Sequence, residues 1–519
     1  MCKYAGALHA LTTAGCNPAP RRGGLALFDP GEVHRLPSMG TTHFSLDGQG
    51  PRYEQIARAV KGAVLDGKLA PEARLPSTRV LAQALGVARK SVVEAYELLA
   101  IEGLIRPRVG VGTVVCFPAR KPSIRPQHLQ APPPTRYVER LRKLPRPTLS
   151  GSAEGLRYNL QYSAPLANAR IFSSWTRKVS AAARRLGPGY GSTTGYAPLR
   201  SAIADYLARR RGLLCAPDDI VIVSGTQQAI SLTARLLLNE EDTAVVEDPF
   251  YEFAVYALTA HGARLQHVPT DAEGLRVQDI PAGSARLALV TPSHQFPSGV
   301  VMSLTRRMEL LNWANAANAF ILEDDYDSEF HDGRRPPATL RSLDLSGRVI
   351  YVGSFSKTLF PSLRLGYIVC PKALRPDFQR AKLLDDLGSP LLQQLALANF
   401  MQSGLYEKQL RRTVSEVLVR RRTLVNELRR RLGSQIELGP HAGGMHVVLW
   451  FPSMPSPQMT LLIARAAEHG VRVQSVEPYY HSPAPSPGLL LGYAGLTATQ
   501  IRAAIAILAD CVRHLRGGP

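Results

Sequence analysis

Apolar residues in the first part of the chain recur at helical spacing in three short segments. The first covers residues 52–66, and Gly67 then ends it. Ser77 can cap a second short helix that ends at Gly86, and Val87 leads into a third. The side chains expected to face a common core are Ile56, Ala59, Val60, Ala63, Val64, Val80, Leu81, Leu85, Val92, Ala95, Tyr96 and Leu99. The pattern predicts a module of three helices.

A hairpin over residues 104–115 follows the third helix, with a glycine-containing tip that includes Arg108. The first turn of the third helix carries Arg89, Lys90 and Ser91. In a helix-turn-helix protein that turn reads base edges, so two cations and a hydroxyl there favour contact with the major groove of DNA. We therefore expect a winged helix-turn-helix. The alternative is a small helical bundle with a solvated basic face.

Prolines interleaved with basic residues fill the stretch between residues 116 and 157, where apolar periodicity is nearly absent. Such composition is typical of a semi-extended linker. The expected division of the chain is a flexible N-terminal extension over residues 1–48, the winged-helix domain over 49–116, the linker over 117–157 and one large domain over 158–519.

Short apolar runs alternate with helix-like segments in the large domain. The runs with the composition of buried strands are residues 220–223, 244–246, 287–290, 320–322, 349–352 and 367–370. Helix-like segments, such as residues 229–238 and 305–317, separate them. This alternation predicts an α/β domain with a mostly parallel sheet covered by helices. Ligands of such sheets bind beyond the carboxyl ends of the strands.

Charge and cysteine content narrow the class of protein. The 519 residues carry a formal net charge of +21, and residues 1–150 hold 22 Lys and Arg against 10 Asp and Glu. Such a region attracts polyanions, although a generally basic surface is the alternative. The six cysteines are far apart, with no spacing typical of zinc ligands, and no apolar run reaches membrane-spanning length. We expect a cytoplasmic protein without a metal site or a membrane partner.

Three strand ends carry polar motifs. A glycine turn at residues 224–228 opens a helix and forms a phosphate cradle. An acidic cluster at residues 323–326 could bind a metal, cap a helix or pair with a cationic ring. The third motif is a serine-rich turn that ends in a lysine, with an arginine seven residues further on. The candidate side chains are Thr226, Gln227, Asp324, Tyr326, Ser354, Ser356, Lys357 and Arg364.

Phosphate donors, a carboxylate and an amine together are what a pyridoxal 5'-phosphate site needs. Lys357 would form the Schiff base with the aldehyde, and Asp324 would keep the pyridine nitrogen protonated. Tyr326 would bond the ring hydroxyl. Arg364, with the two serines and Thr226, would neutralise the phosphate. Tyr251 is a candidate to stack on the ring, or else an ordinary core aromatic.

Residues 51–115 resemble the DNA-binding domain of GntR-type regulators. The resemblance rests on the stretches at residues 75–79, 95–99 and 110–113. It implies DNA contacts from Arg79 and from the wing, besides those of the third helix. Ala88 stands where the family often has a capping serine.

The order of the motifs over nearly the whole chain resembles the MocR subfamily, in which such a module is fused to a fold-type I aminotransferase-like domain. The motifs are at residues 190–196, 291–299, 323–327 and 354–357. The resemblance implies a homodimer in which Tyr190 reaches the phosphate of the neighbouring protomer. Two features depart from the enzymes. Phe296 replaces the asparagine that bonds the ring hydroxyl, and residues 489–493 lack the arginine that grips the substrate carboxylate.

The function that the resemblance implies is transcriptional regulation at promoter DNA. The regulator would sense pyridoxal phosphate itself, or an amine or amino acid, through an aldimine at Lys357. The alternative is an active aminotransferase with an accessory DNA-binding domain. Because the carboxylate clamp is missing, we expect at most a residual half-reaction.

Overall fold

A computed structural model of the chain describes residues 44–116, 133–145, 156–162, 169–281, 283, 285–331, 336–440 and 443–516. The chain divides into two compact units, residues 1–131 and 132–519, and each is described by itself. Most of the expected N-terminal extension and much of the linker lie outside the described residues.

The first unit is a winged helix, as the sequence predicts. Its elements are α1 Arg52–Leu65, α2 Thr78–Leu85, α3 Arg89–Ile101, β1 Ile105–Arg108 and β2 Gly112–Val115. The two strands pair antiparallel with Ile105 opposite Val115. Side chains of all three helices bury a common core, among them Ile56, Leu81 and Leu99.

Helix α2 begins and ends where the sequence indicates. The Ser77 hydroxyl accepts the Val80 N–H over 3.3 Å, and Gly86 closes the helix with φ +64°. The expectation that Val80 faces the core is wrong, because its side chain is 52% exposed. The helix is only eight residues long and buries Leu81 and Ala82. Val80 is rotated by about 100° from Leu81 and points outward.

The second unit contains the remaining elements. Its helices are α4 Arg136–Lys143, α5 Ala169–Ala183, α6 Ala197–Arg211, α7 Thr226–Leu237, α8 Glu252–His261, α9 Leu304–Ala316, α10 Leu340–Leu343, α11 Arg375–Asp386, α12 Leu391–Gln402, α13 Leu405–Leu432, α14 Ser456–Glu468 and α15 Ala498–Arg516. Its strands are β3 Tyr158–Asn159, β4 Ile220–Val223, β5 Thr243–Asp248, β6 Arg264–Asp271, β7 Gly274–Leu275, β8 Ala285–Val290, β9 Phe320–Asp325, β10 Val349–Ser354, β11 Gly366–Val369, β12 Glu437–Leu438, β13 His446–Trp450, β14 Val471–Arg472, β15 Gln474–Ser475 and β16 Gly488–Gly492.

The large sheet has the order β4-β11-β10-β9-β8-β5-β6-β7. The central pairs β10/β9, β9/β8, β8/β5 and β5/β6 are parallel, whereas β11 runs antiparallel to both of its neighbours. The expected mostly parallel sheet is therefore confirmed. Both faces are covered, since separate buried clusters lie on the two sides of β4. The carboxyl ends of β4, β9 and β10 meet at one edge.

A second, antiparallel sheet of order β12-β13-β16-β15 lies near the end of the chain. It packs with α13, α14 and α15 around its own buried core. The short strand β3 pairs parallel with β14 and connects the segment at Tyr158 to this part of the fold. None of the described helices is long and apolar enough to cross a lipid bilayer.

Part of the proline-rich linker is helical, which the sequence reading did not include. Thr135 caps α4 by accepting the Val138 N–H over 3.4 Å. Arg140 binds Glu240 over 2.6 Å and donates to the Ala260 carbonyl at the end of α8. Residues 135–144 contain no proline. A short amphipathic helix can therefore form there and pack against the large unit.

Candidate functional site

Three loops at the carboxyl edge of the large sheet come together as the sequence predicts. A Cβ built on Gly225 would lie 3.2 Å from the Arg364 guanidinium, so the turn after β4 contacts the segment after β10. Thr226 donates to Asp324 at the end of β9 over 3.5 Å. Lys357 follows β10 and faces the same space.

Lys357 is half-buried, and its Nζ lies 3.8 Å from the centre of the Tyr162 ring. Loss of hydration lowers the pKa of this amine to about 8, although the carboxylates of Asp327 and Asp324 act in the opposite direction. A substantial neutral fraction at physiological pH makes the amine a nucleophile toward carbonyl groups.

Asp324 is 8% exposed. Burial, and then the charge of Asp325, raise the pKa of Asp324 to about 7. In the described part of the chain its bonded partner is Thr226, and no cation pairs with it. A buried carboxylate in this condition is stabilised by any cation placed beside it. A positively charged ring nitrogen placed beside Asp324 would therefore be electrostatically favourable.

Tyr326 is buried beside Asp324, and its hydroxyl donates to the His294 carbonyl over 2.9 Å. The hydroxyl oxygen also lies 3.0 Å from His294 Nδ1. Burial, and then the charge of Asp327, raise the pKa of Tyr326 well above its usual value. The hydroxyl is thus a neutral group whose remaining lone pair can accept a hydrogen bond.

The phosphate side is built around Gly225, which takes φ +101° at the N-terminus of α7. No side chain caps that terminus, so its first N–H groups and the helix dipole favour an anion. Arg364 is exposed beside it, and Ser354 accepts the Ser356 N–H over 3.2 Å. The side-chain amide of Gln227 is already hydrogen-bonded away from this cradle, since it donates to the Phe253 carbonyl over 2.9 Å.

The two tyrosine candidates behave differently. Tyr251 is half-buried at the start of α8, and its ring meets Phe296 edge-on at 5.9 Å between centroids. Burial raises the pKa of Tyr251 to about 12. Tyr190 is 93% exposed, and the chain does not bring it into its own site.

Three side chains that the sequence did not single out complete the surroundings of Lys357. Tyr162 lies beside Phe296 and His446 at 4.9 and 5.0 Å between ring centres. Asp327 accepts from His294 over 3.1 Å. The acidic motif at residues 323–327 could have indicated Asp327 in the sequence. No sequence pattern points to Tyr162, which follows β3, or to His446 on β13.

Phe296 is buried where the enzymes have an asparagine. It forms one cluster with Tyr326, with Val448 and Leu490 from the second sheet, and with Val476 directly after β15. Apolar side chains therefore line the place where the resemblance to the enzymes leads one to expect a carboxylate-binding arginine.

In the winged helix, the side chains of Arg79, Arg89, Lys90 and Arg108 are exposed, whereas Ser91 is half-buried. Arg89 donates weakly to Thr78 over 3.5 Å. Ala88 supplies no side-chain cap to α3, so the N-terminus of α3 keeps N–H groups without a side-chain acceptor. Arg108 pairs with Glu72 over 3.2 Å. These cations form a basic surface at the start of α3 and on the wing.

Family comparisons agree with this division. The family "Bacterial regulatory proteins, gntR family" matches residues 52–115, and "Aminotransferase class I and II" matches residues 159–508. The probable rhizopine catabolism regulatory protein MocR of Rhizobium meliloti is 35% identical over 465 residues, which are 88% of this chain and 93% of that protein. The HTH-type pyridoxine biosynthesis transcriptional regulator PdxR of Corynebacterium glutamicum is 31% identical, over 88% of this chain and 95% of its own.

Solved structures resemble the second unit. LysN, an α-aminoadipate aminotransferase of Thermus thermophilus, superposes with a TM-score of 0.66 at 25% identity, over 73% of this chain and 97% of its own. The kynurenine aminotransferase of Pyrococcus horikoshii gives 0.63 at 26% identity, over 74% and 95%. With its winged helix joined to an aminotransferase fold, the chain belongs to the MocR subfamily of GntR-type transcriptional regulators.

Proposed function

We propose that this regulator binds pyridoxal 5'-phosphate at Lys357 and couples the occupancy of that site to its binding of promoter DNA. The observation that carries the proposal is the space shared by Lys357, the unpaired Asp324 and the Gly225–Arg364 cradle. It works as a homodimer in the cytoplasm, where its separated free cysteines stay reduced.

The side chains fit the cofactor. When bound, pyridoxal phosphate supplies an aldehyde that condenses with primary amines, and Lys357 is the amine in reach. Asp324 would offset the charge of the ring nitrogen, and Tyr326 would accept a hydrogen bond from the ring hydroxyl. Arg364, Ser354, Ser356, Thr226 and the N-terminus of α7 hold the phosphate. LysN, the structural relative, was solved with N-(5'-phosphopyridoxyl)-L-leucine.

The second protomer supplies Tyr190. Its ring is almost fully exposed on one chain, so it is free to reach the phosphate held by a neighbour. Two sites completed in this way make the dimer the sensing unit. A small amine or amino acid that competes with Lys357 for the aldehyde then adds a second signal.

An active aminotransferase is the second candidate, because Lys357, Asp324, Tyr326 and Arg364 form a complete cofactor set. The wall formed by Phe296 and Leu490 favours the regulator, since it offers no charge to hold a substrate carboxylate in register for proton transfer. We expect slow half-reactions with amino acids and no steady turnover with α-ketoglutarate.

The test is to purify the protein, add pyridoxal phosphate, record its visible absorbance and reduce it with borohydride before peptide mapping. The expected result is a yellow protein with the cofactor fixed on Lys357. A colourless protein that takes up no added cofactor would contradict the proposal. Steady turnover of about 1 per second or faster would favour the enzyme instead.

A further inference from the structure

We propose that the small-molecule effector of this regulator is a primary amine without a carboxylate. The inference rests on the proposed function, because it assumes that the cofactor aldehyde sits beside Lys357. The proposed function allows both amines and amino acids as effectors, and this inference keeps only the amines.

The first observation is the orientation of β16. Leu490 is fully buried and packs with Phe296 and Tyr326, whereas Leu489 and Leu491 face the separate core beneath the second sheet. Of the three leucines, the alternation along the strand turns only position 490 toward the site. Leu490 pairs with Val448 across the sheet, so the neighbouring strand presents an apolar side chain too.

The second observation is that nearby arginines are already engaged. Arg211 binds Asp325 over 2.8 Å and Ser293 over 2.9 Å. Arg307 donates to the Met302 and Pro292 carbonyls over 3.1 and 2.7 Å. Its Nη1 has no partner in the described structure, but this atom is buried and closed to solvent. Arg364 belongs to the phosphate cradle. Within the described ranges, no arginine of the site remains for a carboxylate.

The third observation is that the buried polar atoms left without a partner around His294 are acceptors. Asp327 is buried and accepts from His294 through Oδ2, while its Oδ1 has no partner among the described residues. His446 Nε2 donates to the Pro297 carbonyl over 2.9 Å. Burial, and then the charge of His294, lower the pKa of His446 well below its usual value, so the ring is neutral.

With its proton on Nε2, His446 presents Nδ1 as a bare acceptor, and that atom likewise has no partner in the described structure. A carboxylate brought against these acceptors would lose its hydration without gaining a donor, which is unfavourable. A further donor on the body of the effector, such as a hydroxyl group or a second ammonium group, would satisfy them. The local charge therefore selects against amino acids and for amines.

The aromatic side chains suit the same class. Tyr162 already has the Lys357 ammonium 3.8 Å above its ring, and Phe296 and Tyr479 meet edge-on at 5.1 Å between centroids. Aromatic faces attract organic cations and bury apolar bodies. An amine with an aliphatic or aromatic body matches these surroundings.

The test uses pairs of ligands that differ only in the carboxylate. These are 2-phenylethylamine with phenylalanine, 3-methylbutylamine with leucine, and ethanolamine with serine. Each is titrated into the cofactor-loaded dimer, and binding is followed by the absorbance of the bound cofactor and by the shift in melting temperature. At least one amine should bind about tenfold or more tightly than its amino acid, the size of one lost charge-assisted hydrogen bond.

A variant reverses the preference. Leu490→Arg places a cation on the site face of β16 and should bring the matching amino acid to equal or tighter binding than the amine. Leu490→Met, which adds no charge, should keep the preference for amines. If Leu490→Arg does not fold, the wild-type pairs still decide.

The outcomes separate the two proposals. A yellow wild-type protein that binds amino acids as tightly as amines, or that binds neither, overturns the amine inference and leaves cofactor sensing standing. A protein that takes up no pyridoxal phosphate removes both.

Discussion

The winged helix exposes Arg79, Arg89 and Lys90 to solvent, whereas the large unit holds Asp324 and Lys357 beneath protein. Exposed cations act on DNA over about a Debye length, at little cost to the fold. The buried Asp324 and the half-buried Lys357 have pKa values displaced toward neutrality, so their charge states depend on what lies beside them. One region attracts its ligand from a distance, and the other requires its ligand for electrostatic balance.

The sharpest test of this contrast is Lys357→Ala. We expect complete loss of the cofactor fixed by borohydride, and loss of most of the response to pyridoxal in a promoter fusion. Folding, dimerisation and basal DNA binding should persist, because none of the DNA-facing cations depends on this residue. Mass spectrometry of the reduced protein and gel shifts measure the two effects. Cofactor fixed on another lysine would break the contrast.

Asp324→Asn tests the buried charge in protein freed of cofactor. The folded pKa of about 7 lies above the usual value of 3.8, so this group stabilises the fold below about pH 4 and loses that contribution as the pH rises toward 7. The variant should be more stable than wild type near pH 8, by up to about 4 kcal/mol. Denaturant unfolding between pH 4 and 8 measures it. In both proteins the free energy of unfolding should still fall with rising pH, because burial raises the pKa of three other carboxyls to about 7. These are Glu247, Glu323 and Glu329.

For Arg89→Ala we expect specific DNA affinity to fall by about 1–3 kcal/mol if the guanidinium reads a base. Footprinting and fluorescence anisotropy on specific and random duplexes measure the change. The matched control is Lys68→Ala, which removes an exposed cation outside the expected DNA contacts. An equal loss on random DNA would mean that Arg89 contacts phosphate only.

Arg108→Ala should have the smallest effect, because this cation already shares Glu72 with Arg106. We expect a shallower dependence of binding on salt, by about one unit of logarithmic slope or less, with little change in sequence preference. Titrations at several salt concentrations measure it. A change in the preferred sequence would place the wing in a groove rather than on the backbone.

The strands of the large sheet could be predicted from apolar runs alone. The run at residues 220–223 coincides with β4, and the run at residues 349–352 lies within β10. Strands that are buried on both faces need continuous apolar sequence, so the signal is local. The polar residues directly after these strands likewise predict the candidate site, because they too form a local sequence signal.

Elements that depend on tertiary contacts could not be found in this way. Val80 fits a helical stripe but lies outside the face that α3 covers. Helix α4 is held by Glu240, which is distant in sequence. Tyr162 follows β3 and His446 lies on β13. Their rings meet where Tyr162 contacts Lys357, and no spacing in the sequence encodes that approach.

Position 490 also has a genetic consequence. Along β16 its neighbours on either side are tied to the core, whereas the side chain at 490 can change without disturbing that packing. Leucine and arginine codons differ by a single base in four of their six forms. One point mutation would therefore introduce an arginine into the apolar wall, or remove one from it. A lineage of such regulators can exchange the class of molecule it answers to while inheriting the rest of the fold unchanged.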